Sequence, residues 1–288
     1  MLPMRFRSQS AMEYLMTYGW AVLIIGVVLA ALVSLGVFNS ALWGPRASAG
    51  SCKLFRSTAV TTLEGVCNNV IPQSVAQFNG QNSGVNLIVT SPLNIPQIVT
   101  VSMWLLTTQM PSGGTYAPLQ MSNLNAGGCN GWAFFLYYSQ YNSINWGQRC
   151  TNGGVTPTTP IISNVWYNVV GTYDGTTAKE YINGALVTTQ AVSVTLINSG
   201  PITVGYGSEG SRLAGSMADI QIYNTPLDAN QVQALYMEGI GGVPINLQHI
   251  VGWWPLNGDF NDYSGNSNTG APTSVSFTSS WTSGYTTP

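Results

Sequence analysis

From Tyr14 to Phe38 the chain carries no charged side chain. This run of 25 residues would be about 37 Å long as a helix at 1.5 Å per residue, enough to cross a hydrocarbon core of about 30 Å. Val22, Leu23, Ile24, Ile25, Val27, Val28 and Leu29 leave it no polar face, so the helix predicts an apolar surround of lipid or other helices. Gly26 and Ala30 are four residues apart, a spacing that lets helices approach closely in lipid. Residues 39–50 read as a linker, with Trp43-Gly44-Pro45 followed by Ala, Ser and Gly.

Beyond residue 51 the apolar period shortens to that of strands. Val99, Val101, Met103 and Leu105 alternate with Thr100, Ser102 and Trp104, and Trp166–Tyr173 ends at Asp174-Gly175. Lys179–Ile182 meets Asn183-Gly184 and continues as Ala185–Thr188, a strong hairpin signal. Ile202–Gly205 and Met217–Tyr223 read as further strands. One helix is predicted here, over Ala229–Glu238, with Asp228 as N-cap and Gly239 as stop. Many short strands separated by turns predict a mainly β protein, an antiparallel β-sandwich carrying a long N-terminal hydrophobic helix.

Charged residues are only 6% of the chain, against roughly 25% in ordinary soluble domains. The net charge of −2 gives no basic footprint for nucleic acid. One histidine, His249, leaves little material for His-based metal or triad chemistry. The cysteines fall in two local pairs, Cys52 with Cys67 and Cys129 with Cys150. With an export segment, that predicts two disulfides, with the local connectivity favoured over the two others; buried free thiols are the alternative. The chain has no Asn-x-Ser/Thr sequon, no Gly-x-Ser-x-Gly, no phosphate loop and no zinc spacing. Its ten acids are scattered, whereas glycosidases need carboxylates at a fixed separation. The expectation is a protein that is not an enzyme.

Three readings of the N-terminal segment follow. A cleaved secretory signal would use Ala47-Ser48-Ala49, but the apolar run far exceeds the usual length. A plain membrane anchor would keep Arg5 and Arg7 inside. The third reading turns on Glu13, a carboxylate at the edge of a spanning helix and so a functional suspect. Ser8-Gln9-Ser10-Ala11-Met12-Glu13-Tyr14-Leu15, after Arg5 and Arg7, resembles the class III signal peptide of archaeal type IV pilin-like proteins. The resemblance implies a leader over residues 1–8, removed by a prepilin peptidase between Ser8 and Gln9, and a pilin-like helix over 9–38. It also implies that Glu13 recruits a neighbouring subunit, whose new α-ammonium at Gln9 it could neutralise in a low-dielectric bundle. Gln9, Glu13, Gly26 and Ala30 are then the assembly residues of a homopolymer that sits in the membrane before assembly.

In the exported part, Trp166–Gly175, Tyr181–Gly184, Gly215–Asn224, Pro226-Leu227 and Leu235-Tyr236 resemble a concanavalin A-like laminin-G domain. That family's fold is a jelly roll of two curved antiparallel sheets, and Gln77–Gly80 resembles an early strand. The apolar-Trp-Pro strand and Asp-x-Ser-Gly-Asn turn that usually open the family come last here, as Ile250–Leu256 and Asp262–Asn268. The domain at 51–288 is therefore read as permuted, with its first-strand motif at 250–270. Donation of that segment to a neighbouring subunit and a truncated second repeat are the alternatives.

The resemblance implies a structural Ca²⁺ near Asp219, Asp262 and Asn266. The alternative is that Asp262 makes an Asx turn and Asp219 serves a hydrogen-bond network. It also implies carbohydrate binding, for which the dense aromatic hairpin with Tyr137, Tyr138, Tyr141 and Trp146 is the candidate; the alternative is that these rings fill the core. The combined reading is a structural and adhesive subunit of an archaeal pilus-like surface filament, with the helix in the filament core and the sandwich outward. The other reading is a membrane-anchored extracellular lectin-like protein that does not polymerise.

Overall fold

A computed structural model of the chain describes residues 10–34, 71–88, 98–110, 115–121, 132–137, 143–148, 160–192, 201–207 and 212–288. The chain divides into two units, Met1–Arg46 and Ala47–Pro288. The first contains helix α1, Ser10–Ser34. Side chains are described over residues 18–30, and all of these residues are exposed. That stretch rises about 20 Å, and among the described residues no helix is long and apolar enough to cross a membrane. The crossing expected from the sequence needs the longer run, 14–38.

The second unit is a two-layer antiparallel sandwich. Its strands are β1 (Val75–Asn79), β2 (Gly84–Leu87), β3 (Val99–Thr107), β4 (Thr115–Met121), β5 (Trp132–Tyr137), β6 (Ile144–Gln148) and β7 (Trp166–Tyr173). They continue as β8 (Thr177–Ile182), β9 (Ala185–Ala191), β10 (Ile202–Val204), β11 (Ala214–Tyr223), β12 (Ile250–Trp254), β13 (Gly270–Thr273) and β14 (Ser276–Thr278). One sheet has eight strands, ordered β14-β1-β11-β3-β7-β8-β9 with β12 also on β11; the other has six, ordered β13-β2-β10-β4-β5-β6. The main core lies between the sheets and includes Phe78, Met103, Leu119, Phe134, Trp146, Val169, Ile220 and Trp254. The two disulfides expected of Cys52 with Cys67 and of Cys129 with Cys150 are not seen among the described residues, because Cys52, Cys67, Cys129 and Cys150 all lie outside them.

The eight-stranded sheet is also covered on its outer face. Helix α2 (Ala229–Met237) brings Val232 and Leu235 onto Val170, Tyr181, Tyr223 and Trp253. Trp281 packs with Trp104 and Trp166, while Tyr236 and Tyr285 pack against them. Covering on both faces explains why all nine positions of β3 are buried although its sequence alternates. α2 starts where Asp228 accepts the N–H of Gln231 and the Gln231 side chain accepts that of Asp228, a reciprocal box that satisfies two end donors. The β8–β9 hairpin turns on Asn183 and Gly184, at φ 51° and 76°, the left-handed pair of a tight hairpin turn.

The C-terminal segment packs within its own chain. β11 is lined on one side by β3, and on the other by β1 along residues 214–217 and by β12 along 220–223. At the handover between them lies Asp219, in a register shift between Ala218 and Gln221, with φ 48°. Bulges of this kind re-aim side chains. The Asn257 side chain bridges the seam by accepting the N–H of Ser74 at 3.0 Å.

Candidate functional site

The strand β12 and the turn after it are joined residue by residue. Asp262 Oδ1 accepts the backbone N–H groups of Trp253 at 3.0 Å and Ser264 at 2.8 Å. Its Oδ2 accepts the backbone N–H of Asn268 at 2.9 Å and the Asn268 side-chain amide at 2.7 Å. The carbonyl of Val251 receives the Ser264 hydroxyl and the side-chain amides of Asn266 and Asn268. Trp254 donates from its indole to the carbonyl of Asn268 at 2.8 Å.

Trp253 connects this turn to the bulge on β11. Its indole N–H donates to Asp219 Oδ1 at 2.8 Å, and Gln221 Nε2 donates to Asp219 Oδ2 at 2.7 Å. Tyr223 in turn donates to Gln221 Oε1 at 2.5 Å. Asp219 is 3% exposed. Burial pushes its carboxyl up to about 7, opposed by the two side-chain donors and reinforced by Glu238. Asp219 and Asp262 thus both accept from Trp253, while Asn266 donates to Val251 on the same strand.

The residues present do not fit the Ca²⁺ expected there. Ca²⁺ wants about six to eight oxygen ligands, whereas Asp262 already accepts four N–H donors and Asp219 one on each oxygen. The side-chain nitrogen of Asn266 donates to Val251 and Ser264. No group of three or more His, Cys, Asp or Glu residues is placed to hold a metal among the described residues. The turn has the Asx geometry that was the alternative reading.

The aromatic hairpin also differs from its expected role. Trp146 is 2% exposed, with its ring against Phe134 and Trp132 and its indole N–H donating to the carbonyl of Thr172. A Cβ at Gly171 would lie 2.2 Å from that ring, so Gly171 makes the space it occupies. Trp146 is thus a core residue with no face for a sugar. Tyr138, Tyr141, Ser8 and Gln9 lie outside the described residues, as do the side chains of Tyr137 and Glu13. Gly26 and Ala30 are exposed on α1.

A different aromatic is open to solvent beside the Asp262 turn. Tyr263 is 36% exposed, with its edge toward Trp253 at 6.0 Å between centroids. Its hydroxyl donates to Asp259 Oδ2 at 2.9 Å, which also accepts the Asn261 side-chain amide at 2.9 Å. An aromatic ring, an amide and a carboxylate thus share one exposed loop. Aromatic faces and planar polar groups recognise sugars by stacking and by hydroxyl hydrogen bonds. The sequence signal for this cluster was the turn motif itself, which marks the loop but does not show which of its residues face outward.

Two further acids, one buried and one half-buried, were not singled out by the sequence. Glu180, on β8, is 1% exposed. Burial pushes it up to about 8, offset in part by the backbone N–H of Trp146, and its Oε1 has no hydrogen-bond partner. Glu238, after α2, is raised by burial. Glu180 and Asp219 are sealed from solvent, so neither can meet a substrate.

The fold is a two-sheet antiparallel β-sandwich. The chain belongs to the Concanavalin A-like lectin/glucanases superfamily, whose Laminin_G_3 profile matches residues 79–233. No curated protein matches the sequence. Among solved structures, one similar chain is a protein from Bacteroides ovatus provisionally assigned as carbohydrate binding. The TM-score is 0.56 at 15% identity over 72% of this chain, which spans 60% of that protein's length. Another is the heptameric SAP-like pentraxin of Limulus polyphemus, with a TM-score of 0.51 at 14% identity, covering 72% of this chain and 94% of that one. At these identities the likeness is one of fold.

Proposed function

We propose that this chain is a non-catalytic, membrane-anchored cell-surface protein whose sandwich binds glycans. The observation that carries the reading is the exposed Tyr263–Asp259–Asn261 cluster on a turn fixed by Asp262. Family membership supports it, and so does the sealing of Glu180 and Asp219 away from solvent. Because Asp259 and Asp262 make the loop acidic, its ligand is a neutral sugar whose hydroxyls donate to the carboxylate. The apolar run 14–38 supplies the anchor.

The test is a glycan array probed with the full chain in detergent. Retention of neutral oligosaccharides is expected, and no signal above background on any glycan would contradict the proposal.

Glu13 favours a second reading, in which the helix leaves the membrane to form the core of a pilus-like filament after cleavage before Gln9. Glu13→Gln is expected to abolish filaments while the protein stays in the membrane fraction. Unchanged filaments, or none in the parent, count against assembly and leave the glycan reading standing.

A further inference from the structure

Between β10 and β11, Arg212 pairs with Tyr206 in an isolated bridge and stands out in a chain with so few charges. Its guanidinium carbon lies 5.0 Å from the centroid of the Tyr206 ring, within the range of cation–π attraction. One of its N–H groups donates to the carbonyl of Ser83 at 3.0 Å. Tyr206 is fixed from three sides. A Cβ at Gly84 would sit 2.3 Å from its ring, so the ring lies against bare backbone. Its carbonyl accepts the Thr203 hydroxyl at 2.9 Å, and its own hydroxyl donates to Asn86 Oδ1.

The groups that remain are mostly donors. Among the described residues the guanidinium reaches one acceptor, Ser83, which leaves most of its five N–H groups. Asn86 is exposed and its Oδ1 receives the Tyr206 hydroxyl, so its amide N–H groups remain to donate. The Tyr206 and Asn86 oxygens keep lone pairs, but the charge here is that of Arg212, and the Tyr206 ring lies between Gly84 and Arg212. A ligand that accepts hydrogen bonds and carries negative charge therefore fits these donors, without stacking.

We propose that Arg212, held by Tyr206, and Asn86 form a binding site for the carboxylate of an acidic sugar. The planar fork of a guanidinium matches a carboxylate bidentately. The proposal rests on the glycan-binding reading but uses a different loop and the opposite charge from the Tyr263 cluster, so one protein would hold neutral and acidic residues of a mixed polysaccharide at two places.

The test compares the full chain with Arg212→Gln and Asn86→Ala on neutral oligosaccharides, oligouronates and sulfated oligosaccharides. Oligouronate affinity is expected to fall about tenfold or more for Arg212→Gln and about threefold for Asn86→Ala. Neutral binding should stay unchanged in both variants. Asn86, being exposed, keeps the test open if Arg212→Gln fails to fold. Retained neutral binding with no oligouronate binding in the parent overturns this proposal alone. Equal losses on neutral and acidic glycans, unaltered oligouronate binding in Asn86→Ala, or sulfated glycans held as tightly as oligouronates also overturn it. No binding to any glycan overturns the wider reading as well.

Discussion

Trp253 joins two carboxylates that differ in kind. Its indole N–H meets the sealed Asp219, and its backbone N–H meets Asp262 at the surface turn. Replacing it by Phe keeps most of the apolar body but leaves Asp219 Oδ1 without its donor, a loss of about 1–3 kcal/mol, measurable by denaturant unfolding. Asp262→Asn should cost a similar amount, about 2–3 kcal/mol, because an amide turns an N–H₂ toward N–H donors. Since those donors fill the carboxylate, adding Ca²⁺ or chelator should leave the melting temperature unchanged. A rise of several degrees with Ca²⁺ would show that the turn reorganises around a cation.

Among the elements, the strands with apolar-polar alternation or a turn dipeptide were legible in the sequence. Trp166–Tyr173, the Asn183-Gly184 hairpin and Met217–Tyr223 are all strands where expected, and the helix begins at its predicted Asp228 cap. β13 and β14 were not legible. Gly-Ala-Pro-Thr and Ser-Phe-Thr show little hydrophobic pattern because both strands lie at sheet edges and none of their residues is fully buried. For the site, the motif indicated Asp219, Asp262 and Asn266 as neighbours. It could not reveal that N–H groups would converge on Asp262, because three of those four donors are backbone atoms, present at every position. Trp146 was misjudged for a related reason: a run dense in aromatic residues does not show which members face inward. The cap gives a prediction at this scale. Asp228→Ala should cost about 1 kcal/mol, read by thermal melting, and should loosen the cover over Tyr223 and Trp253.

For the whole molecule, the two sealed acids set a pH dependence. Burial lifts Glu180 from 4.5 to about 8 and Asp219 from 3.8 to about 7. Between those limits the folded state holds protons that the unfolded chain has released, so stability falls as pH rises. It is fullest below about 4, where both states are protonated. Each group contributes a slope of about 1.4 kcal/mol per pH unit within its window. The melting temperature should therefore decline from about pH 5 to about pH 8, and Glu180→Gln should flatten part of that decline. A melting temperature that rises over this range would contradict the placement of both acids. The proposed sugar recognition at Tyr263 is tested most directly by titration calorimetry with the tightest neutral glycan found for the full chain. Tyr263→Ala should weaken that glycan about tenfold, whereas undiminished affinity in Tyr263→Ala would contradict the account.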